Sequence, residues 1–236
     1  MIMFAQDLWG HTIELTENTT PQGRWYTTPQ GNKYASVTTM LGKTSSEDKK
    51  QGLREWRERV GEAKANAITS RAAGEGTRLH RALEKIITNQ WTPFQQSQVL
   101  PNIKSLLNQM VPVLQSHVSA IHGSEVPLYS DALKVAGRTD CICTWDGQYT
   151  ILDFKRSNKP KYEDGILDYF HQATTYALLA EERFGKEIPS IAILIGVSTG
   201  EFPQIWHFPK YKYSVQVYRR IQKFHTLNSI IGDDSE

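Results

Sequence analysis

The sequence predicts an α/β domain with an N-terminal helical elaboration. Three observations carry that class. Apolar residues recur at helical spacing between residues 48 and 120. At Ser124 the pattern changes to short strand-like runs. Later runs alternate with long helical patterns, the arrangement of a sheet covered by helices.

The elements follow in order. Residues 1–36 are rich in Thr, Gln, Gly and aromatics, and Pro21, Gly23, Pro29 and Gly31 punctuate them into short strands and turns. Ser45 to Asp48 read as a helix entry, and Leu53, Trp56, Val60, Ala63 and Ala67 give an amphipathic helix over 48–69. Gly74 and Gly76 break that pattern, and a second helix carries Leu79, Leu83, Ile86 and Ile87 inward. Pro93 to Pro101 is a break, and 97–120 a third helical region interrupted near Pro112. Glu125–Tyr129, Leu133–Trp145 and Gln148–Phe154 read as strands. Asp164 caps a helix reaching about Phe184, Ile191–Val197 is a buried strand, Glu201–Phe208 its partner, and Tyr211–Asn228 a last helix before an acidic tail. The expected division is residues 1–123, strands and helices, and 124–236, the sheet with its helices, packed as one compact unit.

Composition bounds the function. The 236 residues are 39% hydrophobic and 22% charged, which excludes wholesale disorder and allows a real core. No run approaches the ~18 apolar residues of a membrane span, and Met1–Gly10 lacks the features of a leader. A net charge of +2 identifies no partner. Cys141 and Cys143 are too few for a disulfide framework or a four-cysteine metal site, and a reducing cytoplasm fits.

One hairpin carries the chemistry. Asp146-Gly147 favours a two-residue turn with positive φ. Trp145 then faces Gln148, and the same register sets Asp140 against Asp153 with both side chains on one face. Lys155 shares that face, and Arg138 lies opposite it. Facing carboxylates repel, and a divalent cation between them removes the penalty. Mg²⁺ and Mn²⁺ are hard, oxygen-seeking ions held by one or two carboxylates. A nearby ammonium can orient or deprotonate a water and neutralise charge on a phosphate under attack. The face therefore reads as a phosphodiester cleavage site; from the hairpin alone, a sheet with scattered charges fits equally. Cys141, Cys143, Trp145, Leu152 and Phe154 form the opposite, packing face.

These residues fall in a wider series. Ala136-Gly137-Arg138-Thr139-Asp140, Asp153-Phe154-Lys155 and Gln172-Ala173-Thr174-Thr175-Tyr176 resemble the G-x-x-D, D-x-K and Q-x-x-x-Y motifs of RecB-type nucleases in the PD-(D/E)XK superfamily. Gly76-Thr77-Arg78-Leu79-His80 with Glu84 resembles that group's helical histidine motif. Ser36-Val37-Thr38-Thr39 resembles the S-V-T entry of the mitochondrial genome maintenance exonuclease branch and its phage relatives. The resemblance spans about residues 34–210. The proline preceding the first acid is replaced by Thr139.

The resemblance implies a restriction-endonuclease-like core, a mixed central sheet flanked by helices. It implies metal ligation by Asp140, Asp153, the Phe154 carbonyl and His80, with help from Glu125, and Lys155 as the catalytic lysine. Gln172 and Tyr176 would position that lysine or the bound strand. Lys155, Arg156, Lys159 and Lys161 run without an acid and suit phosphate contacts, with Ser157 as a donor. Thr38 sits in the entry motif, and an N-terminal arch would bring Lys43, Trp56 and Arg71 to the strand. The interleaved Tyr211, Tyr213, Tyr218 and Lys/Arg residues fit a stacking surface or an ordinary solvated helix. The expected activity is Mg²⁺- or Mn²⁺-dependent DNA exonuclease action on single strands or flaps. The alternatives are a duplex-processing recombination exonuclease or an endonuclease, and a non-catalytic DNA-binding module. An iron–sulfur cluster is not expected, for want of cysteines, nor ATP use, for want of a G-x-x-x-x-G-K-[ST] loop. Replication or recombination proteins would be partners, and the location the cytoplasm, that of the host if phage-encoded.

Overall fold

In the computed structural model, residues 3–10 and 13–232 are described, with side chains up to Ser229; the acidic stretch after Gly232 lies outside them. Nine strands form one mixed sheet among the described residues. Four come early: β1 (Ala5–Gln6), β2 (Thr16–Thr20), β3 (Gly23–Thr27) and β4 (Lys33–Ser36). Five helices follow: α1 (Val37–Lys43), α2 (Glu47–Val60), α3 (Glu62–Ile87), the short α4 (Pro93–Ser97) and α5 (Pro101–His117). Then come β5 (Val118–Ser130), β6 (Val135–Trp145), β7 (Gln148–Ser157), α6 (Leu167–Phe184), β8 (Ser190–Val197), β9 (Gln204–Pro209) and α7 (Tyr211–Gly232).

The main path of the sheet runs β2-β3-β4-β6-β7-β8-β9, with β5 pairing β6 and β1. β7 and β8 are parallel, and β5–β6, β6–β7 and β8–β9 antiparallel. Helices cover both faces. On one, Ile142, Ile151, Ile191, Ile193 and Ile195 pack against α1, α6 and α7. On the other, Cys141, Cys143, Trp145, Leu152 and Phe154 pack against Leu79 and Leu83 of α3 and Leu106 and Met110 of α5, so the expected packing face is a core face. Alternate strand residues thus serve two cores, which is why β8 is buried throughout and carries no polar side chain after Ser190. No helix among the described residues is long and apolar enough to cross a membrane.

Several boundaries differ from expectation. The helix expected over 48–69 breaks at Gly61, whose φ of 84° suits glycine. Gly74 and Gly76 instead run inside α3. Each helical glycine costs about 1 kcal/mol relative to alanine, and the buried anchors Leu79, Leu83 and Ile86 hold the helix across them. Pro112 likewise sits within α5 without ending it. The division expected at residues 123 and 124 falls inside β5, and strands from the first 36 residues join the same sheet.

α6 and α7 are tied by Arg220. Its guanidinium donates to Asp168 and to the Leu41 carbonyl, and to Thr44 Oγ1 at 3.0 Å. It also lies 2.9 Å from His171 Nδ1. Arginine is always a donor, so His171 accepts and is neutral. Burial, reinforced by the Arg220 charge, pushes its pKa down to about 4 from 6.5. Below about pH 6.5 the unfolded chain takes up a proton that the folded chain refuses. Stability therefore falls as pH drops from about 6.5 to 4, by up to about 3 kcal/mol, and this group contributes no slope above that window. Urea midpoints at pH 7, 5.5 and 4.5 test this. His171→Asn should flatten the decline; an unchanged pH profile in that variant would refute the assignment.

Candidate active site

The hairpin turn forms as its residue types require. Asp146 and Gly147 have φ of 46° and 81°, and Trp145 pairs with Gln148. The ladder continues through Cys143–Thr150 to Cys141–Leu152 and stops there. Further back along β6, Val135 and Ala136 pair with Ala35 and Ser36 of β4. Residues 137–140 lie between these two pairings and join neither. The sheet forks at this stretch, and the stretch is the Gly-Arg-Thr-Asp segment singled out from sequence.

Asp140 begins the fork. In a continued ladder the Phe154 N–H would bond across to residue 139. Instead it donates to Asp140 Oδ2 at 2.8 Å. Asp153 is 1% exposed. Its Oδ2 lies 2.5 Å from Lys155 Nζ, an ion pair at close range without hydrogen-bond alignment, and has no other donor. Burial pushes the Asp153 pKa up to about 6, with the Asp140 charge adding to the effect. Burial also opposes the Lys155 charge, but Asp153 and Asp140 outweigh it and hold that pKa above the usual lysine value. The Lys155 ammonium also sits 5.2 Å from the centre of the Tyr169 ring.

Two further groups arrive from outside the hairpin. His80, on α3, reaches through the fork to place Nδ1 3.4 Å from Asp140 Oδ1. Burial would lower the His80 pKa, but the Asp140 carboxylate outweighs it and raises it. Glu125 belongs to β5, where Ser124 pairs with Cys141 and Val126 with Thr139, so it stands level with Asp140. Its φ of 51° departs from the extended conformation at this point. Ligand atoms of His80, Glu125 and Asp140 all lie within 4.8 Å of one another. Burial, then the Asp140 charge, raises the Glu125 pKa.

This donor set fits a divalent cation. Two carboxylates and an imidazole converge, and a third carboxylate beside them leaves a buried oxygen short of donors. A cation would satisfy that oxygen and offset the crowding of negative charge.

A cavity of about 670 Å³ opens over the fork. It exposes His80, Glu125, Arg138, Asp140, Lys155, Gln172, Tyr176 and Thr38, eight of the residues expected from sequence. Tyr176 is 4% exposed, with Gln172 one helical turn before it on α6; burial raises the Tyr176 pKa. A Cβ on Gly137 would come within 2.8 Å of the Tyr176 ring and hydroxyl, so the glycine of the motif makes room for this tyrosine. Arg138 donates to the Glu125 carbonyl at 3.0 Å.

Other expected residues lie elsewhere. Arg156 is committed to Glu75 of α3 and is absent from the cavity lining. Ser157 donates its hydroxyl proton to the Lys159 carbonyl at 2.6 Å, while Lys159 is exposed on the loop. Lys43 lies over the Trp25 and Phe224 rings at 5.7 and 5.8 Å. The cavity also recruits Glu17, Arg24 and Tyr26 from the β2–β3 hairpin. There Glu17 pairs with Arg24 at 3.1 Å and accepts from the Tyr26 hydroxyl at 3.2 Å. The turn signal Pro21…Gly23 marks that hairpin in the sequence; nothing in it marks where the hairpin docks. A larger cleft of about 820 Å³ lies between α3, α4 and α5, but it presents no carboxylate and no histidine.

The chain is similar to proteins already known. Residues 52–216 match the PD-(D/E)XK nuclease superfamily. A stretch of 136 residues is 30% identical to mitochondrial genome maintenance exonuclease 1 of Homo sapiens, covering 56% of this chain and 39% of that protein. The Mus musculus protein of the same name is 29% identical over 138 residues, covering the same shares. The chain therefore spans about two fifths of the length of these relatives. A solved structure from Eubacterium rectale, named provisionally as an exonuclease, covers 64% of this chain and 67% of its own at 11% identity, with a TM-score of 0.42. That likeness is too slight to build on.

Proposed function

The chain belongs to the PD-(D/E)XK nuclease superfamily, and from that premise we propose that it is a DNA exonuclease dependent on Mg²⁺ or Mn²⁺, acting on single strands or flaps with free ends. The observation that carries the reading is the fork, where His80, Glu125 and Asp140 converge beside the Asp153–Lys155 pair. Nucleases of this superfamily use divalent metal ions. Here His80, Glu125, Asp140, Asp153 and the Phe154 carbonyl would hold the ion. Bound there, it would supply Lewis-acid polarisation of a phosphate oxygen.

The remaining work falls to the chain's own groups. Lys155, kept protonated by two carboxylates, donates to a phosphate oxygen and balances charge as the phosphorus is attacked. The same ammonium orients a water toward the phosphate. Gln172 and Tyr176 buttress the cavity floor, and Arg138 stands at the rim as a phosphate contact. The catalytic reading of these residues rests on their convergence and on the matched motifs. The single-strand preference rests on the cavity. At about 670 Å³, walled by the β2–β3 hairpin and α3, it is the size of a small-molecule site (about 300–1,000 Å³) and admits one opened strand better than a duplex. Replication or recombination proteins in the cytoplasm, of a phage host if the chain is phage-encoded, would be its working partners.

The test is digestion of end-labelled single strands, flaps, blunt duplexes and closed single-stranded circles with Mg²⁺, Mn²⁺ or chelator. Linear single strands and flaps should be degraded with either metal, and nothing with chelator. Circles cut as fast as linear strands would make the protein an endonuclease. Preferred digestion of blunt duplex would make it a duplex-processing enzyme. Undiminished cleavage in chelator would remove the metal from the account.

A further inference from the structure

A second groove, of about 490 Å³, adjoins the cleavage cavity, and Arg81 lines both. Its floor is a basic stripe on α3. Arg78, Arg81 and Lys85 stand at i, i+3 and i+7, on one helix face. Among the described residues none of the three has an ion-pair partner. Some helical cations elsewhere are paired, Lys50 with Glu47, Arg57 with Glu62 and Arg71 with Glu75. Others, such as Arg59, Lys64 and Lys104, are not, so it is the clustering of three on one groove that sets this stripe apart. No carboxylate lines this groove. Its wall is aromatic, formed by Trp91 and by Phe94, which is 73% exposed. The wall is held in place by a reciprocal cap. Gln95 N–H donates to Thr92 Oγ1 at 3.2 Å, and Thr92 N–H to Gln95 Oε1 at 2.9 Å.

From this juxtaposition we infer that the groove binds the single-stranded nucleic acid leading into the cleavage cavity. The inference rests on the nuclease reading for the direction of that strand. Phosphates lie along Arg78, Arg81 and Lys85, and bases stack on Phe94 and Trp91. Unpaired cations beside exposed aromatic rings are the two features that hold single strands without regard to sequence. From residue 78 to residue 85 the stripe is about 10 Å long, the length of about three stacked nucleotides. A protein partner would need acidic groups to meet this floor; a nucleic acid brings one phosphate per residue. Arg81 belongs to both spaces and passes the strand from one to the other.

The test is fluorescence anisotropy with a labelled strand of about 20 nucleotides, in chelator, across a salt series. Arg78→Ser combined with Lys85→Ser should weaken binding tenfold or more. The same pair should reduce the salt slope by about 1.4, for two lost phosphate contacts. Phe94→Ala should weaken binding about fivefold or more with the slope unchanged. All these side chains lie outside the cores, so melting temperatures should not move. Wild-type affinity and slope in both variants would overturn the groove. Wild-type protein that binds in this way yet cuts no substrate with either metal would overturn the nuclease reading instead, and the binding data would still support the groove.

Discussion

Asp153→Asn is expected to lower cleavage of single-stranded DNA by about a thousandfold or more, with the protein still folded. The amide keeps the shape of the carboxyl but cannot carry its charge. That charge sits at 1% exposure beside Asp140 and the Lys155 ammonium. Removing a preorganised charge of this kind costs about 10²–10³ in rate on its own. Losing part of a cation's grip adds to that. Lys155→Ala should lose a comparable factor in kcat with little change in KM, because the ammonium acts on charge that develops during the reaction. The folded state should tolerate the asparagine, since the replaced group was itself costly to bury. Far-ultraviolet circular dichroism and a thermal melt check that point. A melt with and without Mn²⁺ provides a second readout. The wild-type protein should gain stability by binding the ion to the folded state, and Asp153→Asn should gain much less. Turnover within threefold of wild type in either variant would end the catalytic assignment.

Glu75→Ala should be the most destabilising of the polar substitutions considered, by about 3–5 kcal/mol. Glu75 is 5% exposed on α3, and its carboxylate pairs with the Arg156 guanidinium, whose side chain is 10% exposed. Burial opposes its ionisation, but Arg71 and Arg156 outweigh that and hold its pKa below the usual value. Removing Glu75 leaves a buried guanidinium without its anion, whereas Arg71, 80% exposed, contributes little. Arg71→Ala is therefore the control and should cost under about 1 kcal/mol. Replacing both partners, Glu75→Leu with Arg156→Met, should recover most of the loss, because neither charge is then stranded. Urea unfolding measures all three. A loss below about 1 kcal/mol in Glu75→Ala would mean that the pair carries no weight. The pair also fixes α3 against the end of β7 five residues before His80, so activity should fall along with stability.

The sequence by itself determined what is local. The Asp146-Gly147 turn set the β6–β7 register, and with it the approach of Asp140 to Asp153, because a two-residue turn leaves the strands one way to pair. The ordered motifs marked Lys155, His80, Gln172 and Tyr176, and the cavity brings all four to one space. The α/β class and the two-faced core followed from apolar periodicity, which each segment carries within itself. Tertiary structure alone decided the rest. Arg156 reads from sequence as a phosphate contact because its neighbours are basic; only the docking of α3 shows that Glu75 claims it. The fork at residues 137–140 exists because β4 and β7 share one edge of β6, and those strands lie about a hundred residues apart in the chain. The level stance of Glu125 and the presence of Arg24 and Tyr26 at the cavity also arise from distant pairings. Such pairings are chosen by the burial of whole faces rather than by any short run of residues, so no local signal records them.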